Sequence, residues 1–119
     1  MRRKLLFICL ACLGLSSLSA LAQEFPTKTI RIINPFPGEP TDSFARLIAT
    51  KLQNGLKQAV IVEAKAGAGG TIGVAAAAKS VPDGYTLLIT SASTQIVQPV
   101  VRKSMPYDAE RDFRMGWDG

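Results

Sequence analysis

The stretch Ala59–Thr90, AVIVEAKAGAGGTIGVAAAAKSVPDGYTLLIT, decides the fold. Its opening, Ala59–Glu63 (AVIVE), is short and almost wholly apolar, as expected of a strand buried in a parallel sheet. The Gly-rich loop Gly67–Gly70 follows, and then Thr71–Ser80 (TIGVAAAAKS), a run of small residues that reads as a helix. Pro82-Asp83-Gly84 marks a turn, and Tyr85–Thr90 (YTLLIT) is a further strand that opens onto a polar loop, Ser91–Gln95.

Upstream the pattern begins one unit earlier. Thr29–Asn34 (TIRIIN) is rich in β-branched residues and ends at the Pro/Gly cluster Pro35–Pro40. Thr41 or Asp42 can cap a helix in which Phe44, Leu47, Ile48 and Leu52 recur at helical spacing, and Asn54-Gly55 is expected to end it. The order is therefore β-α-β-α-β with short connections. Right-handed crossovers turn that order into an α/β fold, a three-layer parallel sheet with its polar loops gathered at the carboxyl ends of the strands. Ligands bind at that edge in open α/β sheets. After Pro99 the sequence shows no further strand.

Residues 1–22 have the pattern of a secretory signal. Arg2, Arg3 and Lys4 form a basic start, Leu5–Leu15 an apolar core, and Ala20 and Ala22 the small residues that place cleavage after Ala22. The apolar core is shorter than the roughly 20 residues of a membrane-spanning helix. A lipid-modified Cys12 is disfavoured, because Cys9 stands where a leucine is expected. Removing the signal takes three basic residues and both cysteines with it, so the formal charge of +5 falls to about +2 over 97 residues. Such a chain forms no disulfide, and its scattered basic residues make no nucleic-acid patch.

Catalytic chemistry finds little to work with. The chain has no histidine and, after cleavage, no thiol, so the usual nucleophile triads and metal sites cannot be assembled. The neighbours Lys79-Ser80 do not face one another on a helix. Glu39 and Asp42 flank one loop, where a polar loop residue and a helix cap are the simpler reading. The run Gly67-Ala68-Gly69-Gly70-Thr71-Ile72-Gly73 places its last glycine one position late for a dinucleotide fingerprint, and Thr90 and Ser91 stand where an acidic ribose partner belongs. Close strand-to-helix packing accounts for it better. What remains is a recognition surface at Phe36–Asp42 and Ser91–Gln95, two loops expected to present backbone N–H groups to a carboxylate.

Several motifs in series carry a resemblance. Phe25-Pro26-Thr27-Lys28-Thr29-Ile30-Arg31, Pro35-Phe36-Pro37-Gly38 with Thr41-Asp42 and Ala45-Arg46, Val60–Glu63 with Gly67–Gly73, Pro82–Leu88, and Pro106-Tyr107-Asp108 with Asp112-Phe113 occur in that order. Together they resemble the periplasmic solute-binding proteins of tripartite tricarboxylate transporters, the Bug or TctC family. The resemblance covers roughly residues 24–113. It implies the first lobe of a type II periplasmic binding protein fold that closes on a small carboxylated solute, without cofactor, metal or enzymatic activity. It also implies membrane permease subunits as partners. Carried over residue by residue, it assigns ligand contacts to Phe36, Pro37, Gly38, Thr41 and Asp42 in the first loop and to Ser91, Ala92 and Ser93 in the other, with Thr94 beside them.

The sequence departs from the family pattern in two places. Gly38-Glu39-Pro40 stands where members usually carry a Gly-Gly pair. Pro40 has no N–H, and Glu39 either disfavours a simple dicarboxylate, selects a ligand with a cationic group, or points to solvent. After Phe113 the residues 114–119 no longer follow the pattern, so a frameshift, an early stop or a gene remnant is expected, with the second lobe missing. An exported interaction module that pairs through its sheet edge or apolar face is the alternative.

Overall fold

A computed structural model describes residues 24–114. The signal assigned to residues 1–22 and all but the first residue of the 114–119 tail lie outside them.

Three parallel strands form the sheet: β1 (Ile30–Asn34), β2 (Val60–Ala64) and β3 (Thr86–Leu88), in the order β2-β1-β3. The register pairs Ile32 with Val62 and with Leu87, and Ile33 with Glu63 and with Leu88. Placing the first strand at the centre requires the two crossovers to run over opposite faces, and they do. Helix α1 (Pro40–Leu56) packs on the face carrying Ile30, Ile32 and Val60, through Ala45 and Ala49. Helix α2 (Thr71–Ala78) covers the other face, where Val74 and Ala75 form a second core with Tyr107, flanked by Leu88, Met105 and Phe113. The three-layer α/β architecture read from the sequence is the one observed. Ile30, Ile32 and Ile33 are almost fully buried, each contributing roughly 1.5–3 kcal/mol of apolar burial.

The strand ends shift by one or two residues from the sequence reading, and the helices differ more. Helix α1 begins at Pro40, which suits the first turn because its missing N–H would be unpaired there anyway. Neither Thr41 nor Asp42 is its cap; Glu39 occupies that position without a side-chain capping bond. The helix also runs through Gly55 and ends at Lys57, which has a left-handed φ of 55° and whose N–H makes the last helical bond, to the Gln53 carbonyl at 3.0 Å. Its buried line is Ala45 and Ala49 with Ile48 and Leu52 alongside, whereas Phe44 and Leu47 are more than half exposed. Small residues face the sheet here because they let the helix approach closely. The largest correction concerns Ser91–Gln95. This segment is helical, entering at Ala92 with a π-turn at Ser93–Val97 and continuing as α3 (Gln98–Val101).

Two of the sequence motifs prove to be spatial neighbours at the amino ends of β1 and β3. Tyr85 accepts a 2.8 Å bond at its hydroxyl from the Thr27 N–H, its ring lies 4.9 Å from that of Phe25, and the Lys28 ammonium sits 4.5 Å above it. Lys28 also pairs with Asp83 at 2.9 Å. The segment before β1 is thereby fastened to the turn before β3.

Candidate functional site

At the carboxyl edge of the sheet three connections meet: the first loop (residues 35–39), the Gly-rich loop, and the turn into the helix at Ala92. Their convergence is fixed by absent side chains. A Cβ on Gly70 would lie 2.5 Å from Phe36 Cζ and 3.0 Å from Thr94 Cγ2, so Phe36 and Thr94 both close over the same glycine. A Cβ on Gly73 would lie 2.6 Å from the Lys65 carbonyl oxygen and 2.9 Å from Pro35 Cγ. Gly70 and Gly73 thus serve close packing of the loop and helix against the first loop.

That packing excludes a phosphate cradle. The Gly67 carbonyl accepts bonds from the N–H groups of Gly70 and Ile72, at 3.0 and 3.5 Å, and the Phe36 ring covers Gly70. The amide donors that would hold a phosphate at the start of α2 are turned to the protein or roofed over.

Asn34, fully buried at the end of β1, organises the first loop. Its side-chain oxygen accepts the Phe36 N–H at 3.0 Å, and its amide donates to Asp42 Oδ1 at 2.8 Å. The other Asp42 oxygen accepts from Arg46 Nε at 3.1 Å. That bond foremost, joined by Asn34 and the Gly38 N–H, holds the Asp42 carboxyl below the usual carboxylate range despite partial desolvation. Asp42 is committed to neighbours on both oxygens, so in this arrangement it shapes the loop from beneath.

The donor supply differs from the expectation for this loop. Pro35, Pro37 and Pro40 have no N–H. Those of Phe36 and Glu39 turn inward, to the Asn34 side chain at 3.0 Å and the Phe36 carbonyl at 3.4 Å. The first loop therefore offers a wall, with Phe36 half-buried, Pro37 and Gly38 exposed at its tip and the Thr41 hydroxyl 3.5 Å from the Phe36 carbonyl.

Donors are instead concentrated on the other side. Ser91, Ala92 and Ser93 lie at the start of the helical segment, where first-turn N–H groups have no intrahelical acceptor. Thr94 beneath them is fully buried; its hydroxyl meets that of Thr90 at 2.5 Å and donates to the Ser91 carbonyl at 3.1 Å. Two residues that sequence reasoning does not assign to the site hold this turn in place. Buried Tyr107 donates to the Thr94 carbonyl at 2.6 Å. Gln98 accepts from the Thr71 hydroxyl at 2.7 Å and donates to the Gly69 carbonyl at 2.8 Å. Tyr107 is visible in the sequence only as part of a motif, and Gln98 carries no local signal, because its partners lie 27 and 29 residues away.

Two open depressions lie elsewhere. One, of about 390 Å³, runs along the flank of α2 beside Ile72, Ala76, Lys79 and Pro106; the other, of about 280 Å³, lies among Lys28, Arg31, Asp83 and Tyr85. The first is apolar apart from Thr71 and Lys79, and the charged groups of the second are paired with one another or with Glu63. Neither gathers unpaired donors as the Ser91–Ser93 turn does. Among the described residues no group of three or more His, Cys, Asp or Glu is placed to hold a metal ion.

Comparison with known proteins matches residues 44–115 to the model of the tripartite tricarboxylate transporter family receptor, TctC. The chain is 45% identical over 102 residues to a UPF0065 protein of Bordetella bronchiseptica, covering 85% of this chain and 30% of that protein. Among solved structures it is similar to MatC from Rhodopseudomonas palustris with bound malate, at 34% identity and a TM-score of 0.70, covering 75% of this chain and 31% of that one. It is likewise similar to R. palustris Rpa4515 with adipate, at 32% identity and a TM-score of 0.69, covering 73% and 29%. The chain spans about 30% of the length of the curated relatives it matches.

Proposed function

The chain belongs to the tripartite tricarboxylate transporter receptor family, and from that premise we propose that it captures a small carboxylated solute in the periplasm and presents it to the permease subunits of such a transporter. The observation that carries this reading is the meeting of the first loop with the Ser91–Ser93 turn at the carboxyl edge of the sheet. Two solved neighbours with this fold hold malate and adipate.

In this reading Ser91, Ala92 and Ser93 receive the carboxylate with backbone N–H groups and two hydroxyls. Phe36, Pro37 and Thr41 form the facing wall. Gly38 and Asp42 act by holding that wall in shape. The work is binding and release, with no bond made or broken. Residues 1–22 direct export and are removed after Ala22, and residues 23–113 belong to the first lobe.

Calorimetric titration of the purified full chain with malate and adipate tests the reading. The Ala92→Pro variant is its control, because the Ala92 φ of −56° already suits proline and only one N–H is lost. A hydrogen bond to a charged group contributes about 1.5–3 kcal/mol, so the variant should bind roughly 10–100-fold more weakly. No binding at millimolar concentrations of either acid refutes the reading, as does an unchanged affinity in the variant.

A further inference from the structure

The outer edge of β2 carries a pattern of its own. Pairing with β1 turns the odd-numbered residues of the strand inward: the Ala59 carbonyl accepts the Ile30 N–H, and the Lys65 N–H donates to the Asn34 carbonyl, both at 2.9 Å. By alternation the N–H and C=O groups of Val60, Val62 and Ala64 point away from the sheet. The Val60 N–H is taken by Gln53 Oε1 at 3.5 Å, whereas Val62 and Ala64 make no hydrogen bond on that side among the described residues. Ala64 is exposed, and Ile61 is 48% exposed. Helix α2 lies over β1 and β3, so the β2 half of that face is bare.

Two charged side chains stand on the bare half, Glu63 and Lys65. They meet each other at 2.8 Å, and the second Glu63 oxygen accepts from Arg31 at 3.3 Å. Charges on an edge strand ordinarily discourage pairing, but these two are complementary to themselves under a two-fold axis. An antiparallel second copy centred on Ala64 sets Ala64 against Ala64, joined by reciprocal backbone bonds, with only a methyl group at the axis. It also places Glu63 directly opposite Lys65 of the second copy, twice, at positions where opposed side chains lie closest. A register centred on Glu63 opposes that carboxylate to itself. Registers centred nearer the start of the strand call on the Val60 N–H that Gln53 already holds.

We propose that β2 is a self-association edge, on which two copies of this chain pair antiparallel about Ala64 and join their three-stranded sheets into one. A single short strand pair buries less than the roughly 1,200 Å² of a stable interface, so the dimer is weak, with a dissociation constant on the order of 100 µM. Dimerisation here requires no solute, so its failure leaves the carboxylate reading untouched.

Sedimentation velocity of the full chain from about 10 µM to about 1 mM reads the association, with circular dichroism confirming the fold of each variant. The parent should pass from monomer to dimer across that range. Ala64→Pro, tolerated where an edge N–H faces outward, removes the two central bonds and should stay monomeric throughout. Lys65→Glu and Glu63→Lys each set like charges opposite one another and should weaken self-association about tenfold or more. Mixed in equal amounts, these two variants regain opposite charges at both positions and should form a heterodimer about as strong as the parent dimer. A parent that stays monomeric at the highest concentration overturns the inference, as does a dimer that survives Ala64→Pro. Charge variants that dimerise as well alone as together overturn it too, as does a mixture that stays monomeric while the parent dimerises.

Discussion

Replacing Gly73 by alanine sets two opposed effects against each other, and their sign tests the packing at the edge. Gly73 is the third residue of α2, and its φ is not in the left-handed region. Helix propensity alone favours alanine over glycine there by about 0.8–1 kcal/mol. Against this, the new methyl would lie 2.6 Å from the Lys65 carbonyl oxygen and 2.9 and 3.0 Å from Pro35 Cγ and Cβ. Carbon–oxygen contacts ordinarily begin near 3.3 Å, so roughly 0.7 Å must be made up by movement. The group in the way is backbone, and Lys65 is held by its N–H bond to the Asn34 carbonyl at 2.9 Å. Overpacking of this kind costs about 1–3 kcal/mol, and with backbone as the obstacle the upper part, about 2–3 kcal/mol, applies, which leaves a net destabilisation of roughly 1–2 kcal/mol. For a domain of this size that lowers Tm by about 4–8 °C per kcal/mol. Thermal and urea unfolding followed by circular dichroism would read it. Gly55→Ala is the matched control, since a Cβ there meets nothing within 4 Å and propensity should act unopposed, giving up to about 1 kcal/mol of stabilisation. A Gly73→Ala protein as stable as the parent, or more so, would refute the claim that this glycine exists to let α2 approach the first loop.

Acid should loosen the protein in a defined window. Asp42, Glu63, Asp83 and Asp108 are all held below their ordinary values, by Arg46, by Lys65, by Lys28, and by the Arg111 N–H respectively as the leading cause. Carboxyls depressed in the folded state stabilise it fully above their unfolded pKa of about 4, and that contribution is lost as pH falls through the folded values. The urea midpoint should be level from about pH 7 to 5 and decline below about 4, less steeply in high salt; a midpoint unchanged down to about pH 2 would contradict the assignment. Tyr107→Phe removes the bond to the Thr94 carbonyl. It should cost about 1 kcal/mol in chemical unfolding, and no loss would mean that the hydroxyl does not secure the turn.

The parts of the fold that announce themselves locally are legible in the sequence. Alternation of strand and helix, the breaks at Pro82-Asp83-Gly84 and the apolar AVIVE run are short-range signals; the central position of the first strand is not among them, because right-handed crossovers allow the order β1-β2-β3 as well as the observed β2-β1-β3. Helix α1 is misjudged at both ends when proline and glycine are taken as breakers, whereas Pro40 sits where no N–H is needed and Gly55 is simply carried along. Ser91–Gln95 reads as a loop because its two serines and its threonine have weak helix propensity. The helix there is held by Tyr107 and Gln98, partners that lie far along the chain. The donor count of the first loop is beyond sequence reasoning for the same reason: whether an N–H faces outward depends on Asn34 and Asp42, which bend the loop back upon itself.

That inward bending has a consequence for how the exposed tip can change. Asn34 and Asp42 hold the first loop from below, so its outline is set by bonds within the chain. The exposed tip at Pro37, Gly38 and Glu39 makes little contribution to the core. Substitutions there alter what the loop presents while leaving its foundation intact. A lineage can therefore vary the rim by single steps, each carrying little risk to folding, while the clamp beneath stays the same.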